Sequence, residues 1–290
     1  MLAGVETLRS LLAKVGEHTD TLCLAGGGAL NCVSNARVFR ETPYRTVQVP
    51  PWVADQGLSI GSALFVHHHL LDNPFTPKSE LSSIDARLGP EPDAGAVRRV
   101  AEAARARGYS VVESADAAGL VADDILNDKV VAWFDGRSEI GPRALGGRSI
   151  LANPAKAENW GQVNRIKNRE SWRPFAPAML AETAKHMIDG APERSPFMLF
   201  TGSVTSDAIP AVTHVDRTAR YQTVTDADGA FHDLLVAMRD RGAAPVTMNT
   251  SLNDRGEPII ESPERALQFF ETAAFDTACF NGTYVIRKPS

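Results

Sequence analysis

The second half of the sequence carries many cationic side chains that stand beside glycines, prolines and aromatic residues rather than along helix faces. Four stretches hold them together with polar residues: Arg137, Arg143 and Arg148; Lys167, Arg169 and Arg173; His214, Arg217 and Arg220; and Asn249, Ser251, Asn253 and Arg255. Arginine binds phosphate and carboxylate through two parallel hydrogen bonds, and lysine adds a compact charge. The pattern favours a pocket for an anionic ligand over a set of solvated charges paired with carboxylates of the same chain.

Arg143 and Arg148 are five residues apart in the glycine-rich segment GPRALGGRS, residues 141–149. A surface turn needs no such pair, whereas a pocket for a phosphorylated or carboxylated ligand does. The sequence shows no Ser/His/Asp order and no GxSxG motif, and no cysteine stands in a nucleophile-like context. Catalysis at this site would therefore rest on positioning and charge neutralisation, which suits adenylyl or phosphoryl transfer from ATP.

A glycine turn, AGGGALN at residues 25–31, lies between a predicted strand and a predicted helix that starts near Ala29. Glycines let backbone N–H groups approach a phosphate, and a helix N-terminus favours negative charge. The turn is neither a Walker motif nor GxGxxG. From the residues alone, a phosphate contact and a simple tight turn remain equally open.

Asp55 precedes a helix that opens with glycine. Spacing favours a helix cap over a metal-associated or phosphate-associated carboxylate. The adjacent histidines His67, His68 and His69 point in different directions on a helix, so they cannot all bind one ion. We interpret them as part of a solvated helix face.

Composition excludes several classes of function. The 290 residues have a net charge of −5, which argues against a general nucleic-acid footprint. Cys23, Cys32 and Cys279 form no CxxC or zinc-like spacing and are predicted to be reduced thiols. We see neither a secretory leader nor an apolar run long enough to span a membrane, so the sequence predicts a cytoplasmic protein without a membrane partner.

Alternating strand and helix signals predict an α/β fold. Residues 71–93 contain four prolines and read as a linker, which places a domain boundary near residue 85. Before it we predict a helix over 3–16, two strands, and helices after the two glycine-bearing turns. After it we predict a mixed α/β domain with helices at 94–108, 119–127 and 262–273, the last capped by Ser262. The chain should end in a hairpin that turns at Asn281-Gly282.

Six segments along nearly the whole chain resemble the carbamoyltransferase family, which includes O-carbamoyltransferases of antibiotic and nodulation-factor biosynthesis. They are LCLAGGGALNCVSNARV, VPPWVADQGLSIGSAL, DGRSEIGPRALGGRSILANP, NRIKNRESWRPFAPAML, HVDRTARYQTV and PVTMNTSLNDRGEPIIESPERAL. The resemblance implies that residues 1–85 are the C-terminal part of an actin-like (ASKHA) carbamoyl-transfer domain plus linker. It implies that residues 86–290 form a threonylcarbamoyl-AMP-synthase-like domain. The second domain would make carbamoyl-adenylate from carbamoyl phosphate and ATP, and the first would pass the carbamoyl group to a small-molecule acceptor, typically a hydroxyl.

The resemblance also assigns roles to individual residues. The catalytic set matched in the adenylate pocket is Arg143, Lys167, Arg173, Arg220 and Ser251. The residues predicted to bind substrate are Arg148, Asn249, Asn253 and His214. The nucleotide-contacting turn matches Gly26, Gly27, Gly28 and Asn31, and Asp55 matches a metal-ligand aspartate, which overrides the capping interpretation. The implied cofactors are ATP with Mg²⁺ and a second divalent metal, Fe²⁺ or Mn²⁺, in the actin-like domain.

One departure from the family pattern shapes the predicted assembly. The HxxxH metal-ligand pair of the family does not occur in this sequence. We therefore expect a split enzyme in which a separate subunit supplies the N-terminal half and completes the metal site. The alternatives are a shortened chain, or a first domain that has lost transfer chemistry. Rival functions are a non-catalytic nucleotide-binding regulatory subunit and a tRNA threonylcarbamoyl-modification enzyme, although the acidic balance counts against tRNA binding.

Overall fold

The computed structural model describes residues 6, 7, 10, 20–75 and 85–289. The α-helices within these ranges are α1 (Cys32–Glu41), α2 (Gln56–Phe65), α3 (Ala94–Ala106), α4 (Ala117–Leu126), α5 (Glu158–Ile166), α6 (Ala181–Met187), α7 (Ala230–Asp240) and α8 (Pro263–Thr272). The strands are β1 (Thr21–Cys23), β2 (Thr46–Gln48), β3 (Ser110–Glu113), β4 (Val131–Phe134), β5 (Arg148–Ala152), β6 (Ala176–Leu180), β7 (Ile188–Asp189), β8 (Thr201–Val204), β9 (Thr218–Arg220), β10 (Gln222–Val224), β11 (Val246–Ser251), β12 (Thr277–Phe280) and β13 (Tyr284–Arg287).

A mixed eight-stranded sheet in the order β10-β6-β11-β5-β4-β12-β13-β3 organises the chain after residue 85. All residues of β4, β5, β6 and β12 are buried, because helices cover both faces of the sheet. In β4, Val131 and Trp133 pack into the cluster formed with α4 and α7. Ala132 and Phe134 point the other way, into the larger cluster that includes α3, α5 and α8. The α/β prediction is confirmed.

The register around β11 brings distant loops to one edge of the sheet. β11 runs antiparallel to both of its neighbours, with Ser251 opposite Ser149 of β5 and Asn249 opposite Ala176 of β6. The end of β11 therefore lies beside the beginnings of β5 and β6. The loops that lead into those two strands must open at the same place, and they contain the predicted cationic residues.

A three-stranded antiparallel sheet, β7-β8-β9, adjoins this edge. Its β9 ends at Arg220, which pairs with Thr201 of β8. Two residues later, at Gln222, the chain enters β10, which pairs in parallel with β6. Arg220 thus stands where the chain crosses from the small sheet to the large one.

Residues 20–75 pack onto the second part of the chain rather than standing apart from it. β1 and β2 form a parallel two-stranded sheet. Val38, Val47 and Val49 share one buried cluster with residues 197–200. The alternate residues Thr21 and Cys23 of β1 are exposed. The reason is that β1 pairs with a single strand among the described residues, which leaves its outer edge uncovered.

Local signals located most elements after residue 85. Ser262 caps α8 by accepting the Arg265 N–H at 3.2 Å, as predicted. The final hairpin turns at Asn281 and Gly282, whose φ angles of +50° and +54° suit a primed turn. The glycine turn differs, because residues 27–30 form a 3₁₀ turn and α1 begins only at Cys32.

The predicted helix over 3–16 lies outside the described residues, apart from 6, 7 and 10, which are helical. Within the described ranges, no helix combines the length and the apolarity that crossing a membrane requires.

Candidate anion-binding site

A cavity of about 360 Å³ opens at the sheet edge where β5, β6 and β11 meet. Its lining combines cationic, polar and apolar side chains from four loops, from the ends of β9 and β11, and from the start of α1. These residues are Cys32, Pro142, Arg143, Ala144, Arg169, Arg173, Pro174, Phe175, Met198, His214, Arg220, Asn249, Thr250 and Ser251. No aspartate or glutamate of the described chain is among them. Seven of the thirteen residues predicted from the sequence to surround an anion therefore converge here: Arg143, Arg169, Arg173, His214, Arg220, Asn249 and Ser251.

Four arginines give the cavity its positive charge. Burial, together with the neighbouring Arg143, lowers the pKa of Arg220 to about 10. Burial likewise lowers the pKa of Arg169 to about 10, and it lowers the pKa of Arg143. Each shift means that the folded protein holds a guanidinium where water and counter-charge are scarce. Such an arrangement gains stability when an anion enters.

Unused hydrogen-bonding capacity points the same way. The Nε atoms of Arg143 and Arg220 are buried and have no hydrogen-bond partner in the structure. Buried polar groups are normally paired, so each unpaired group calls for an explanation. A bound anion that accepts from these guanidinium groups would supply the missing partners.

The segment around Arg143 is shaped by the packing of its glycines and by one carboxylate. Gly141 has φ of +117°, and a Cβ there would come within 2.5 Å of the Pro51 carbonyl oxygen. The Glu139 carboxylate accepts the backbone N–H groups of Leu145 and Gly147, each at 2.7 Å. The Glu139 carboxylate therefore fixes the backbone of the glycine-rich turn, and the Arg143 side chain reaches the cavity.

The structure places Arg148, predicted to bind substrate, in the core rather than in the cavity. The residue is 0% exposed and does not line the cavity. Its guanidinium lies 3.6 Å from the centre of the Phe134 ring and donates to the carbonyl oxygens of Asp135 and Gly136 at 3.1 and 2.9 Å. As the first residue of β5, it follows the strand into the core, where its two terminal NH2 groups donate to backbone carbonyl oxygens and its Nε has no partner.

Lys167 lies behind the cavity wall rather than in the cavity. Its Nζ contacts the carbonyl oxygen and Oγ of Ser251 at 2.5 and 3.2 Å, and the carbonyl oxygen and Oδ1 of Asn253 at 3.0 and 2.8 Å. Ser251 lines the cavity, whereas Asn253 does not, and the Asn253 amide donates to the Glu257 carbonyl oxygen. Lys167 and Asn253 thus hold the Ser251 side chain by hydrogen bonds from the side away from the cavity.

Burial lowers the pKa of Lys167 to about 7, and the charge of Arg169 adds to this effect. Below that pKa the folded protein holds an ammonium, and above it a neutral amine. In the unfolded chain the group keeps its proton up to about pH 10. Between these two pKa values the free energy of unfolding therefore increases with pH. As the pH rises through the lower value, the folded protein loses the positive charge of Lys167 behind the cavity wall.

A pH-dependent affinity follows from that titration. We expect binding of inorganic sulfate, which does not titrate in this range, to weaken about fivefold between about pH 6 and about pH 8 as the Lys167 charge disappears. Isothermal titration calorimetry measures the effect. Lys167→Met should bind weakly at both pH values, and the exposed control Lys185→Met should keep the wild-type pH dependence. A wild-type affinity that is constant over this range would contradict the assignment.

His214 and Asn249 also face the cavity. Burial lowers the pKa of His214, which favours the neutral imidazole. Asn249 is 1% exposed and donates to the Ala144 carbonyl oxygen and the Gln222 side chain, so it ties β11 to the turn that carries Arg143. Its Oδ1 has no partner. Asn249 therefore combines a bracing role with one unused acceptor near the cavity.

The glycine turn lies next to the cavity although it belongs to the other predicted domain. Gly26 has φ of +85°, and a Cβ on Gly27 or Gly28 would meet nothing within 4 Å. The Asn31 Oδ1 accepts the Ser34 N–H at 3.0 Å and so caps α1. Cys32, the next residue, lines the cavity. The predicted nucleotide contacts at 26–28 and 31 remain predictions, with Asn31 already occupied as a cap.

Asp55 stands exposed at the start of α2, and its side chain makes no capping hydrogen bond. The described residues contain no group of three or more histidine, cysteine or acidic side chains that could hold a metal ion. Asp55 is therefore not part of such a group within the described residues, and its role as a metal ligand stays a prediction. The Asp55 carboxylate remains accessible.

Sequence reasoning missed three contributors to this site. Cys32 and Met198 had no signal, because their packing against the cavity depends on how the two parts of the chain meet. Glu139, which organises the turn, could have been suspected from its place just before GPRALGGRS. These features define an α/β domain with a cationic cavity of about 360 Å³ at the carboxyl end of β11, beside the loops that lead into β5 and β6.

Comparison with known proteins gives the family. Residues 122–288 match the family described as carbamoyltransferase C-terminus, and residues 4–64 match carbamoyltransferase N-terminus. The chain belongs to the carbamoyltransferase family.

Two relatives and one solved structure illustrate the match. The chain is 38% identical over 275 residues to nodulation protein NolO of Bradyrhizobium diazoefficiens, covering 92% of this chain and 49% of NolO. It is 32% identical over 285 residues to the 3'-hydroxymethylcephem-O-carbamoyltransferase of Amycolatopsis lactamdurans, covering 97% and 52%. Full-length HypF in its phosphate- and nucleotide-bound form aligns with a TM-score of 0.43 at 20% identity, over 57% of this chain and 25% of HypF. The chain spans about half the length of the curated relatives it matches.

Proposed function

We propose that this chain forms carbamoyl-adenylate from carbamoyl phosphate and ATP, as the adenylate-forming part of a carbamoyltransferase. The observation that carries the proposal is the convergence of Arg143 and Arg220, each with a buried and unpaired Nε, in a cavity that no described carboxylate lines. Both substrates are phosphate anions, and family membership supports carbamoyl chemistry.

The proposed reaction has two steps. Water cleaves carbamoyl phosphate to carbamate and phosphate. A carbamate oxygen then forms a bond to the α-phosphorus of ATP, while the bond from that phosphorus to pyrophosphate breaks. Mg²⁺ accompanies ATP as part of the substrate. The chain's arginines neutralise charge on the phosphates as the new bond forms, which is where fixed cations stabilise a transition state most.

Arginines, a serine and a histidine of the cavity have different roles in this proposal. Arg143 and Arg220 hold phosphate oxygens, and Arg173 at the exposed rim guides the anion inward. The Ser251 hydroxyl, held by Lys167, orients the carbamate. Neutral His214 offers a hydrogen bond without adding charge.

A pyrophosphate-release assay tests the proposal directly. The purified chain is mixed with ATP, Mg²⁺ and carbamoyl phosphate, and pyrophosphate is measured against a sample without carbamoyl phosphate. Release that requires carbamoyl phosphate supports adenylate formation. No release would favour a regulatory, nucleotide-binding role. Release that requires bicarbonate and threonine in place of carbamoyl phosphate would favour threonylcarbamoyl chemistry.

We also propose that the carbamoyl group passes to a small-molecule hydroxyl at a site shared with a separate subunit. An apolar face on and after α2 supports this part. Leu58, Phe65, Leu70 and Phe75 are 69%, 55%, 66% and 70% exposed. So large a set of exposed apolar side chains marks an interaction surface. Asp55, which begins the same helix, would contribute one metal ligand there, with the remaining ligands from the partner.

The apolar face should control assembly without controlling adenylate formation. Introducing aspartate as Leu58→Asp and Phe65→Asp is expected to weaken association with the partner subunit at least about tenfold, because a charge cannot be buried unpaired in an apolar interface. Co-purification with the product of the neighbouring gene measures association. Leu88→Asp, on the exposed surface of the second part, is the control. A chain that transfers carbamoyl groups fully as a monomer would contradict the shared site.

A further inference from the structure

A buried asparagine links the glycine turn to the wall of the anion cavity. Asn35, on the first turn of α1, is 2% exposed. Its Nδ2 donates to the carbonyl oxygen of Ala29 at 2.8 Å and to that of Leu199 at 2.9 Å. The two N–H groups of one amide thus join segments that are 170 residues apart in the chain. Ala29 belongs to the 3₁₀ turn formed by the glycines.

Both segments held by Asn35 reach the cavity within a few residues. Cys32, one helical turn before Asn35, lines the cavity, and so does Met198, the residue before Leu199. Met198 is 2% exposed and has φ of +55°, a conformation that a non-glycine side chain adopts only when its surroundings hold it. Asn35 supplies one such constraint at the neighbouring peptide.

The same connection extends to Arg220. Two residues after Leu199 the chain enters β8, where Thr201 pairs with Arg220 of β9. A shift of the Leu199 carbonyl would therefore be transmitted along β8 to the strand that presents this guanidinium. The Asn35 amide is thus connected to the cavity wall and to Arg220, although Asn35 itself does not line the cavity.

We infer that Asn35 is a positioning residue that sets the geometry of the anion cavity by fixing the segment 197–200 against the glycine turn. This inference rests on the proposed function, because the proposed function gives the cavity its role as a phosphate site. The glycine turn and the cavity are then mechanically connected, so a phosphate bound at either one meets a wall stabilised by the same two hydrogen bonds.

Comparison of two buried helical asparagines tests the inference. Asn35→Ala is expected to raise the dissociation constant for inorganic phosphate, and the KM for carbamoyl phosphate, about five- to tenfold, while kcat changes less than about twofold. Asn159 is also buried, and its amide donates to the Asn153 carbonyl oxygen and to Asp128, away from the cavity lining. Asn159→Ala should lower stability without changing phosphate affinity.

The outcomes separate the inference from the proposed reaction. Unchanged phosphate affinity in Asn35→Ala, or an equal loss in Asn159→Ala, would overturn the positioning role. Wild-type protein that binds phosphate but releases no pyrophosphate would remove the proposed reaction and leave Asn35 to be judged on phosphate affinity. Wild-type protein that binds no phosphate would overturn both. If Asn35→Ala is insoluble, Asn35→Ser takes its place, because its short hydroxyl cannot reach both carbonyl oxygens.

Discussion

Replacing Arg143 by alanine is expected to reduce carbamoyl-phosphate-dependent pyrophosphate release by about a hundred- to a thousandfold, which is the usual effect of removing one fixed donor from a charged transition state. Arg143 faces the cavity with an unpaired and buried Nε. Its loss leaves Arg220 as the remaining arginine of the cavity lining with a buried and unpaired Nε. Initial rates of pyrophosphate release measure the effect.

The same substitution should leave stability nearly unchanged. Burial lowers the pKa of Arg143, so the folded protein already disfavours its charge. Removing that charge also relieves its repulsion of Arg220. We expect the free energy of unfolding, measured in urea, to stay within about 1 kcal/mol of wild type.

Arg137→Ala provides the matched control for Arg143→Ala. Arg137 lies four residues before GPRALGGRS, on the surface, where it contacts the Gly89 carbonyl oxygen and Glu91. It should retain wild-type pyrophosphate release. Equal losses in both variants, or full activity in Arg143→Ala, would refute the assignment of the cavity.

Replacing Arg148 by alanine should do the opposite: it should unfold the protein rather than impair binding. The substitution removes the donors for four backbone carbonyl oxygens, those of Asp135, Gly136, Gly147 and Glu261, and empties the space over Phe134. Breaking a buried, charged hydrogen-bonding group of this kind costs about 3–5 kcal/mol. Urea denaturation followed by far-ultraviolet circular dichroism measures the loss.

Arg148→Lys distinguishes the contribution of the planar guanidinium shape to stability from the contribution of its positive charge. Lysine keeps the charge but cannot reproduce a planar fork stacked on Phe134, so we expect an intermediate loss of stability. The folded fraction should keep its KM for carbamoyl phosphate. A stable Arg148→Ala protein with a raised KM would instead return Arg148 to the substrate-binding residues.

Much of the fold could be predicted because its signals are local. Ser262 followed by Pro263 begins α8, and Asn281-Gly282 forms the turn of the last hairpin, each through hydrogen bonds or dihedral angles confined to a few residues. The glycine turn was less predictable. Residues 27–30 close as a 3₁₀ turn, and the Ala29 carbonyl oxygen in that turn accepts a hydrogen bond from Asn35. The same Asn35 amide also donates to a carbonyl oxygen 164 residues away, a contact that no local pattern specifies.

The cationic site was predictable in composition but not in arrangement. The residue types and their placement near strand ends indicated an anion pocket. Pairing of β11 with β5 and β6 brings the end of one strand to the beginnings of two others, and no sequence signal specifies that order. Lys167 shows the consequence, since it supports Ser251 from behind instead of entering the cavity.

By itself the sequence determined the chemical inventory of this protein, the caps and turns of its helices and hairpin, and its resemblance to the carbamoyltransferases. Tertiary structure alone decided which of the cations line the cavity. Arg143 and Arg148 share one glycine-rich segment, yet one belongs to the turn and the other begins a buried strand. Entry into the sheet exchanges solvent for backbone carbonyl oxygens and an aromatic ring, and that change of surroundings makes Arg148 part of the core while Arg143 faces the cavity.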